Sequence, residues 1–148
     1  MIIRNFRPED MPQIEKLVAG AEGFGPGSVD YTRTNILNTE KLGNAQTFVA
    51  EKGGKVVGFC DCWIWSEALE MENLIVGKAH REKGIGTAII GHAEQWARKF
   101  GCNSFILFTP NTIKSTPFYV KIGFRFSGFT MNEEGKGTES LYFWREIR

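Results

Sequence analysis

The sequence predicts an α/β (α+β) fold: a mixed, mostly antiparallel twisted sheet of about seven strands with helices on both faces. Three observations carry it. Gly53-Gly54 joins two strand-like runs and supplies the positive φ angles of a tight antiparallel hairpin. A helical pattern over residues 84–100 stands between two strand-like runs, and a strand–helix–strand order implies some parallel pairing. The whole order reads β-α-α-β-β-β-α-β-α-β-β, without internal repeat or linker, and 148 residues is the size of a single domain, residues 1–148.

The elements follow in order. Residues 2–6 form a short first strand. Asp10 is an N-cap, with Pro12 in the first helical turn and Gln13 three residues after the cap, as in a capping box. Ile14, Leu17 and Val18 give that helix its apolar stripe, and Gly20 stops it. Residues 20–28 hold four glycines and a proline, a flexible loop. A second helix, capped by Ser28 or Asp30, runs to near Gly43. Residues 46–51 and 55–65 make the hairpin. A third strand, 68–76, sets Leu69 and Met71 against Glu70 and Glu72, then turns fully apolar at Leu74, Ile75 and Val76.

The long helix at 84–100 lines one face with Ile85, Ile89, Ala93, Trp96 and Phe100. Residues 105–108 are an apolar run, read as a strand buried on both faces. A helix at 112–122 ends at Gly123, and strands at 124–130 and 138–146 flank a polar turn.

Composition narrows the function. Eighteen Lys and Arg against 17 Asp and Glu leave a charge of +1, without the basic footprint of a nucleic-acid binder. No apolar stretch reaches the roughly 20 residues of a membrane span, and the N-terminus lacks the apolar core of a signal peptide. A soluble, cytoplasmic protein is expected. Three cysteines, two of them two residues apart, read as buried or half-buried free thiols. With two histidines and no Cys/His cluster, no metal site is expected.

The most informative stretch is a strand leading through a basic, glycine-bearing loop into an amphipathic helix. It reads Leu74-Ile75-Val76-Gly77-Lys78-Ala79-His80-Arg81-Glu82-Lys83-Gly84-Ile85-Gly86-Thr87. That order aims unpaired backbone N–H groups and the positive end of the helix dipole at one point. Gly84 and Gly86 let a ligand approach the main chain, and Lys78, Arg81 and Lys83 add positive charge; a multiply charged phosphate ligand suits such a site. A P-loop would need Lys-Ser or Lys-Thr after the glycines, and none follows. A dinucleotide fingerprint would need a small residue where Ile89 stands and an acid about 20 positions on, where the chain is apolar.

Arg81-Glu82-Lys83-Gly84-Ile85-Gly86 resembles the acetyl-CoA-binding motif, Arg-x-x-Gly-x-Gly, of the GNAT superfamily of N-acetyltransferases. Ser115-Thr116-Pro117-Phe118-Tyr119-Val120-Lys121-Ile122-Gly123-Phe124 resembles that family's late helix, at the matching place in the order of elements. Together the two motifs extend the resemblance over essentially the whole chain.

The resemblance implies an N-acetyltransferase moving the acetyl group of acetyl-CoA, as cosubstrate, to a primary amine, first a small-molecule one. Two alternatives are a peptide or protein acetyltransferase acting on a lysine or N-terminal amine, and a non-catalytic acetyl-CoA sensor. It implies cofactor contacts from Leu74, Ile75, Val76, Arg81, Glu82, Lys83, Gly84, Ile85, Gly86, Thr87, Ser115 and Phe118, with carbonyl polarisation by the backbone N–H of Ile75 or Val76. Many relatives carry an Asn seven residues before the helix tyrosine; that place is Thr112 here, with Asn111 one earlier, and either takes the role.

Tyr119 matches the family's general acid, and a phenol suits protonating a thiolate. Glu72 and Glu70, two apart on a strand and so on one face roughly 7 Å apart, are the base candidates, with water as the alternative. The acceptor pocket implied by the family falls on residues 20–28 and 131–137, with Glu133 and Glu134 as attractors for a cationic amine and Phe24, Trp63, Trp65 and Phe129 as possible walls. The expected partner is a small-molecule or peptide amine, with neither nucleic acid nor membrane, and the chain acts alone or as a homodimer.

Overall fold

The computed structural model describes residues 1–111, 115–131 and 137–148. Seven strands form one sheet in the order β1-β2-β3-β4-β5-β7-β6. They are β1 (Ile2–Asn5), β2 (Ala45–Lys52), β3 (Lys55–Trp65), β4 (Ala68–Val76), β5 (Ser104–Pro110), β6 (Arg125–Met131) and β7 (Glu139–Glu146). Every neighbouring pair is antiparallel except β4 with β5. Helices α1 (Met11–Ala19) and α2 (Ser28–Thr39) cover one face, and α3 (Ile85–Arg98) and α4 (Ser115–Lys121) the other.

The hairpin forms as its dipeptide requires. Lys52 pairs with Lys55, and Gly53 and Gly54 turn the chain at φ 59° and 73°, angles that a side chain would strain. Ile89, Ile90 and Ala93 of α3 pack against Phe48, Cys60, Leu69 and Phe105; Ile14, Val18 and Ile36 pack against Val49, Phe59 and Ile75 on the opposite face. Ile89 is fully buried, and Ile89→Ala is expected to cost about 2–5 kcal/mol in chemical denaturation.

Several local expectations are corrected. Asp10 stands before α1 but does not cap it; its carboxylate accepts from the Arg4 guanidinium at 2.7 and 2.8 Å and from the Arg7 N–H at 2.8 Å. A charged partner on β1 outcompetes neutral amides for that buried carboxylate. Gln13 likewise leaves the cap and accepts from the Val56 N–H at 3.0 Å, pinning α1 to β3. Burial pushes the Asp10 carboxyl up, but Arg4 and the Arg7 N–H outweigh it and hold the carboxyl below its ordinary 3.8. A carboxylate so depressed stabilises the fold above that pH and ceases to as pH falls through its folded value. Asp10→Ala, which strands Arg4 beside Glu51 alone, is expected to cost about 2–3 kcal/mol at pH 7. The deficit should shrink as pH falls below the ordinary 3.8 in urea titrations.

α2 ends at Thr39, whose hydroxyl donates to the Asn35 carbonyl at 2.7 Å, short of Gly43, and its N-cap is Gly27 rather than Ser28 or Asp30. α3 closes at Arg98, so Phe100 lies beyond it, exposed, with its ring 5.1 Å from Trp96. β5 is not buried on both faces. Phe105 and Leu107 are buried under α3 and α4, while Ile106 and Phe108 are half-exposed because α1 and α2 pack over β2–β4; Phe108 stacks on Tyr142 at 5.7 Å instead. Thr112, where a helix was expected to start, lies outside the described residues. Cys60, Cys62 and Cys102 are buried free thiols, as expected. Among the described residues no helix is long and apolar enough to cross a membrane.

Candidate active site

The site is organised by β4. Its ladder with β3 slips between Cys62↔Met71 and Asp61↔Asn73, which leaves Glu72 as an extra residue, a β-bulge. Before the bulge Leu69 and Met71 face α3; after it Leu74 and Val76 do, while Ile75 faces α1. One added residue thus reverses the phase of the strand. The apolar run at 74–76 is alternation resumed out of step.

The parallel ladder with β5 covers only 68–71 against 104–107. From Glu72 onward β4 has no strand on its β5 side, and β5 continues against β7. The open edge has a definite polarity. The Ile75 carbonyl is turned to β3, where a Cβ on Gly58 would stand 3.0 Å from it. Because a trans peptide points its C=O and N–H oppositely, the N–H of Val76 faces the gap. Gly77 N–H donates to the Val57 carbonyl at 2.9 Å, which in turn sends the Val76 carbonyl outward to accept from Arg81 Nε at 3.0 Å. Between Ile75 and Val76, only Val76 presents its N–H to the opening.

Beyond Val76 a single 3-10 turn (Lys78–His80) and residues 81–84 carry the chain to α3. Lys83 Nζ donates to the Ala79 carbonyl at 2.8 Å, Lys78 pairs with Glu22 at 3.4 Å, and Arg81 holds Val76, so the basic side chains shape the loop as well as charge it. Glu82 at φ 60° and Gly84 at φ 77° turn the backbone into the helix. The first helical bond runs from Ala88 N–H to the Gly84 carbonyl, so the amides of Ile85, Gly86 and Thr87 precede the hydrogen-bonded ladder. Ile85 contributes only its amide, since its side chain lies in the core. Open space surrounds the place of a Gly84 Cβ, whereas one on Gly86 would meet the Phe118 ring at 3.2 Å, so Gly86 lets α4 close on α3. A cavity of about 250 Å³ lies beside the loop, between Lys16, Leu17 and Gly20 of the α1 end and Val76, Gly77, Lys78 and Arg81. A larger one, about 440 Å³ and lined by Arg98, Arg125, Trp144 and Arg145 among others, holds none of the expected site residues.

Tyr119 is buried among Phe118, Phe124 and Phe143, with ring centroids 5.2–6.3 Å apart. Burial, with Cys60 nearby, pushes its phenol far above the ordinary 10, and its hydroxyl bonds to no described residue. Ser115 stands 2.9 Å from the Thr109 hydroxyl, tying α4 to β5. Asn111 is bound at both ends to β7, its N–H to the Glu139 carbonyl and its Nδ2 to the Glu139 carboxylate, each at 2.8 Å.

The two base candidates sit in different settings. Glu72 accepts from the Tyr31 hydroxyl of α2 at 2.8 Å, and Glu70 from Trp63 Nε1 at 3.2 Å. Sequence reasoning missed Asp61. It is buried on β3, accepts from Asn35 Nδ2 at 2.7 Å and Asn73 Nδ2 at 3.3 Å through one oxygen, and leaves the other without a partner among the described residues. Desolvation first, then the charge of Glu72, pushes its carboxyl up to about 7. The one available signal was an acid in the middle of an otherwise apolar strand. Among the expected pocket walls, Trp65, Phe129 and Phe24 are exposed, while Glu133 and Glu134 lie outside the described residues. Among the described residues no group of three or more His, Cys, Asp or Glu could hold a metal.

A family model described as the acetyltransferase (GNAT) family matches residues 11–124. The streptothricin acetyltransferase of Streptomyces lavendulae is 33% identical over 107 residues, 67% of this chain and 57% of that protein. The chain spans 38–57% of the length of three curated relatives it matches. An aminoglycoside 6'-N-acetyltransferase complexed with coenzyme A superposes with a TM-score of 0.82 at 19% identity, covering 100% of this chain and 98% of that one. A ribosomal-protein-alanine N-acetyltransferase from Brucella melitensis does so with 0.78 at 18%, covering 99% and 100%. At those identities the superpositions establish the fold, and the family model establishes the rest: this chain belongs to the GNAT family of acetyltransferases.

Proposed function

We propose that this chain is an N-acetyltransferase that moves the acetyl group of acetyl-CoA directly to a primary amine of a small molecule. The arrangement of β4 carries the reading. One strand holds, in sequence, a carboxylate at a bulge, an open edge with an outward N–H, and a loop delivering three unbonded amides.

Acetyl-CoA fits these residues: the amides of Ile85, Gly86 and Thr87 with Arg81 and Lys83 suit its pyrophosphate, and Gly84 leaves the space free. When bound it supplies the activated thioester. Val76 N–H then stabilises negative charge developing on an oxygen in the gap. Glu72 takes the proton from the acceptor ammonium, and Tyr119 holds a proton for the departing sulfur. Burial penalises phenolate and thiolate alike, so the raised phenol remains serviceable as a donor. Leu74 and Phe118 pack beside Gly86 where α4 meets α3, and Ser115 and Thr109 fix the end of α4. Asn111 is held by Glu139, which fixes it at the end of β5 beside α4.

Calorimetric titration with acetyl-CoA, with NADH and ATP as controls, tests the cosubstrate, and micromolar, selective binding is expected. Thiol release on a panel of streptothricin, kanamycin, glucosamine 6-phosphate and alanine-led peptides then tests the acceptor. Turnover of the peptides alone would move the reading to a protein α-amine, and binding without any turnover to a sensor. Glu72→Gln should lower kcat by about 10²-fold with acetyl-CoA affinity unchanged; an unchanged kcat would pass the base role to Glu70 or to water.

A further inference from the structure

We propose that Asp61 is a positioning residue for this reaction: buried behind the bulge, it governs through its charge when Glu72 takes a proton. The inference rests on the reading of Glu72 as the base.

The geometry is a four-residue clamp. The bulge sets Glu72 and Asn73 together opposite Asp61, since Asp61 pairs with Asn73 and Glu72 is the residue left over. On α2, Tyr31 and Asn35 are four residues apart and share a face. Tyr31 donates to Glu72 and Asn35 to Asp61, so one helix face addresses both carboxyls. Asn73 adds the second donor to Asp61.

A buried acid held by two amides, with one oxygen left unsatisfied, is costly for a fold that needs only a strand there. Among the described residues the groups around it supply no cation. On β3 itself Cys60 and Cys62 turn to the opposite face; on β2 the residue opposite is the uncharged Thr47; β4 brings Asn73 and Glu72, and α2 brings Asn35 and, through Glu72, Tyr31. Glu72 is therefore the charge that Asp61 answers to, and its influence on Asp61 is upward. The coupling is mutual: two carboxyls this placed release protons in two linked steps. With Asp61 ionised, Glu72 is the stronger base. The proton it takes leaves an ammonium N–H bond, the electron pair stays on nitrogen, and a Glu72 oxygen forms the new O–H bond.

Carboxyl-carbon NMR titrations of the wild type, Asp61→Asn and Glu72→Gln test this without any acceptor. The expected result is that Glu72→Gln moves the Asp61 step, near pH 7 in the wild type, down by about one pH unit. In turnover of any one fixed amine, kcat/KM of the wild type falls as Asp61 takes up its proton near pH 7, and Asp61→Asn loses that limb. An Asp61 step unmoved in Glu72→Gln, or the limb near pH 7 kept by Asp61→Asn, would overturn the proposal; should Asp61→Asn not fold, the Glu72→Gln arm decides alone. Linked titrations together with full turnover by Glu72→Gln would instead sink the reading of Glu72 as the base and leave the coupling standing.

Discussion

Gly84→Glu is expected to abolish acetyl-CoA binding in calorimetry, a loss of at least about a hundredfold, on the order of 3 kcal/mol. Two effects act together. The backbone at φ 77° disfavours any side chain by about 1–2 kcal/mol. More important, the new carboxylate would stand in the open space beside the three leading amides of α3, where it would compete for them and repel an anion. Gly84→Ala separates the two. It carries the strain without the charge, so it should lower Tm by a few degrees while acetyl-CoA affinity stays within several-fold. Micromolar binding by the Glu variant would show that the phosphates sit elsewhere.

Tyr119→Phe is expected to lower kcat by about 10²-fold or more while acetyl-CoA affinity stays within a few-fold. The substitution is clean because the phenol is buried and its hydroxyl holds no described residue. A tyrosine kept for packing alone would lose nothing on becoming phenylalanine, and Tm should hold or rise. Lost turnover therefore reports chemistry. The raised phenol stays protonated throughout the working range, so the variant's pH profile should keep the wild-type shape at a lower height. Wild-type turnover would reduce Tyr119 to a member of its aromatic cluster.

Asp61 also carries a stability prediction. Its carboxyl is raised from 3.8 to about 7, so the unfolded chain ionises first and stability falls as pH rises between those values. Asp61→Asn should be more stable than wild type at pH 8, by up to about 4 kcal/mol, with the advantage vanishing near pH 3. An equal Tm difference at both pH values would contradict it.

Much of the fold could be read from the chain because local signals agreed with tertiary ones. Gly53-Gly54 could only be a tight turn, and the apolar stripe of residues 85–97 could only face a sheet. The phosphate loop was legible for the same reason: glycines, cations and a helix start fall within a few residues. Signals failed where a distant residue competed. Asp10 and Gln13 fit a cap by spacing, yet Arg4 on β1 and Val56 on β3 claimed them. Asp61 gave only its identity, since its donors lie 26 positions before it and 12 after. The rule that residues two apart share a face put Glu70 and Glu72 side by side, and the slip at Glu72 gave them different partners.

That slip decides which length change β4 can bear. Excising Glu72 would leave Met71 opposite Cys62 and Asn73 opposite Asp61 as consecutive pairs, a ladder without a bulge, so Leu74 and Val76 would still face α3 and Ile75 α1. The loss would fall on the carboxylate and its bond from Tyr31, not on the core. Removing a residue after the bulge while the bulge stays would instead turn the rest of the strand over, since side chains alternate with a period of two. Lineages descended from this protein that shorten the strand by one residue should therefore do so at Glu72, and lose the acid with it.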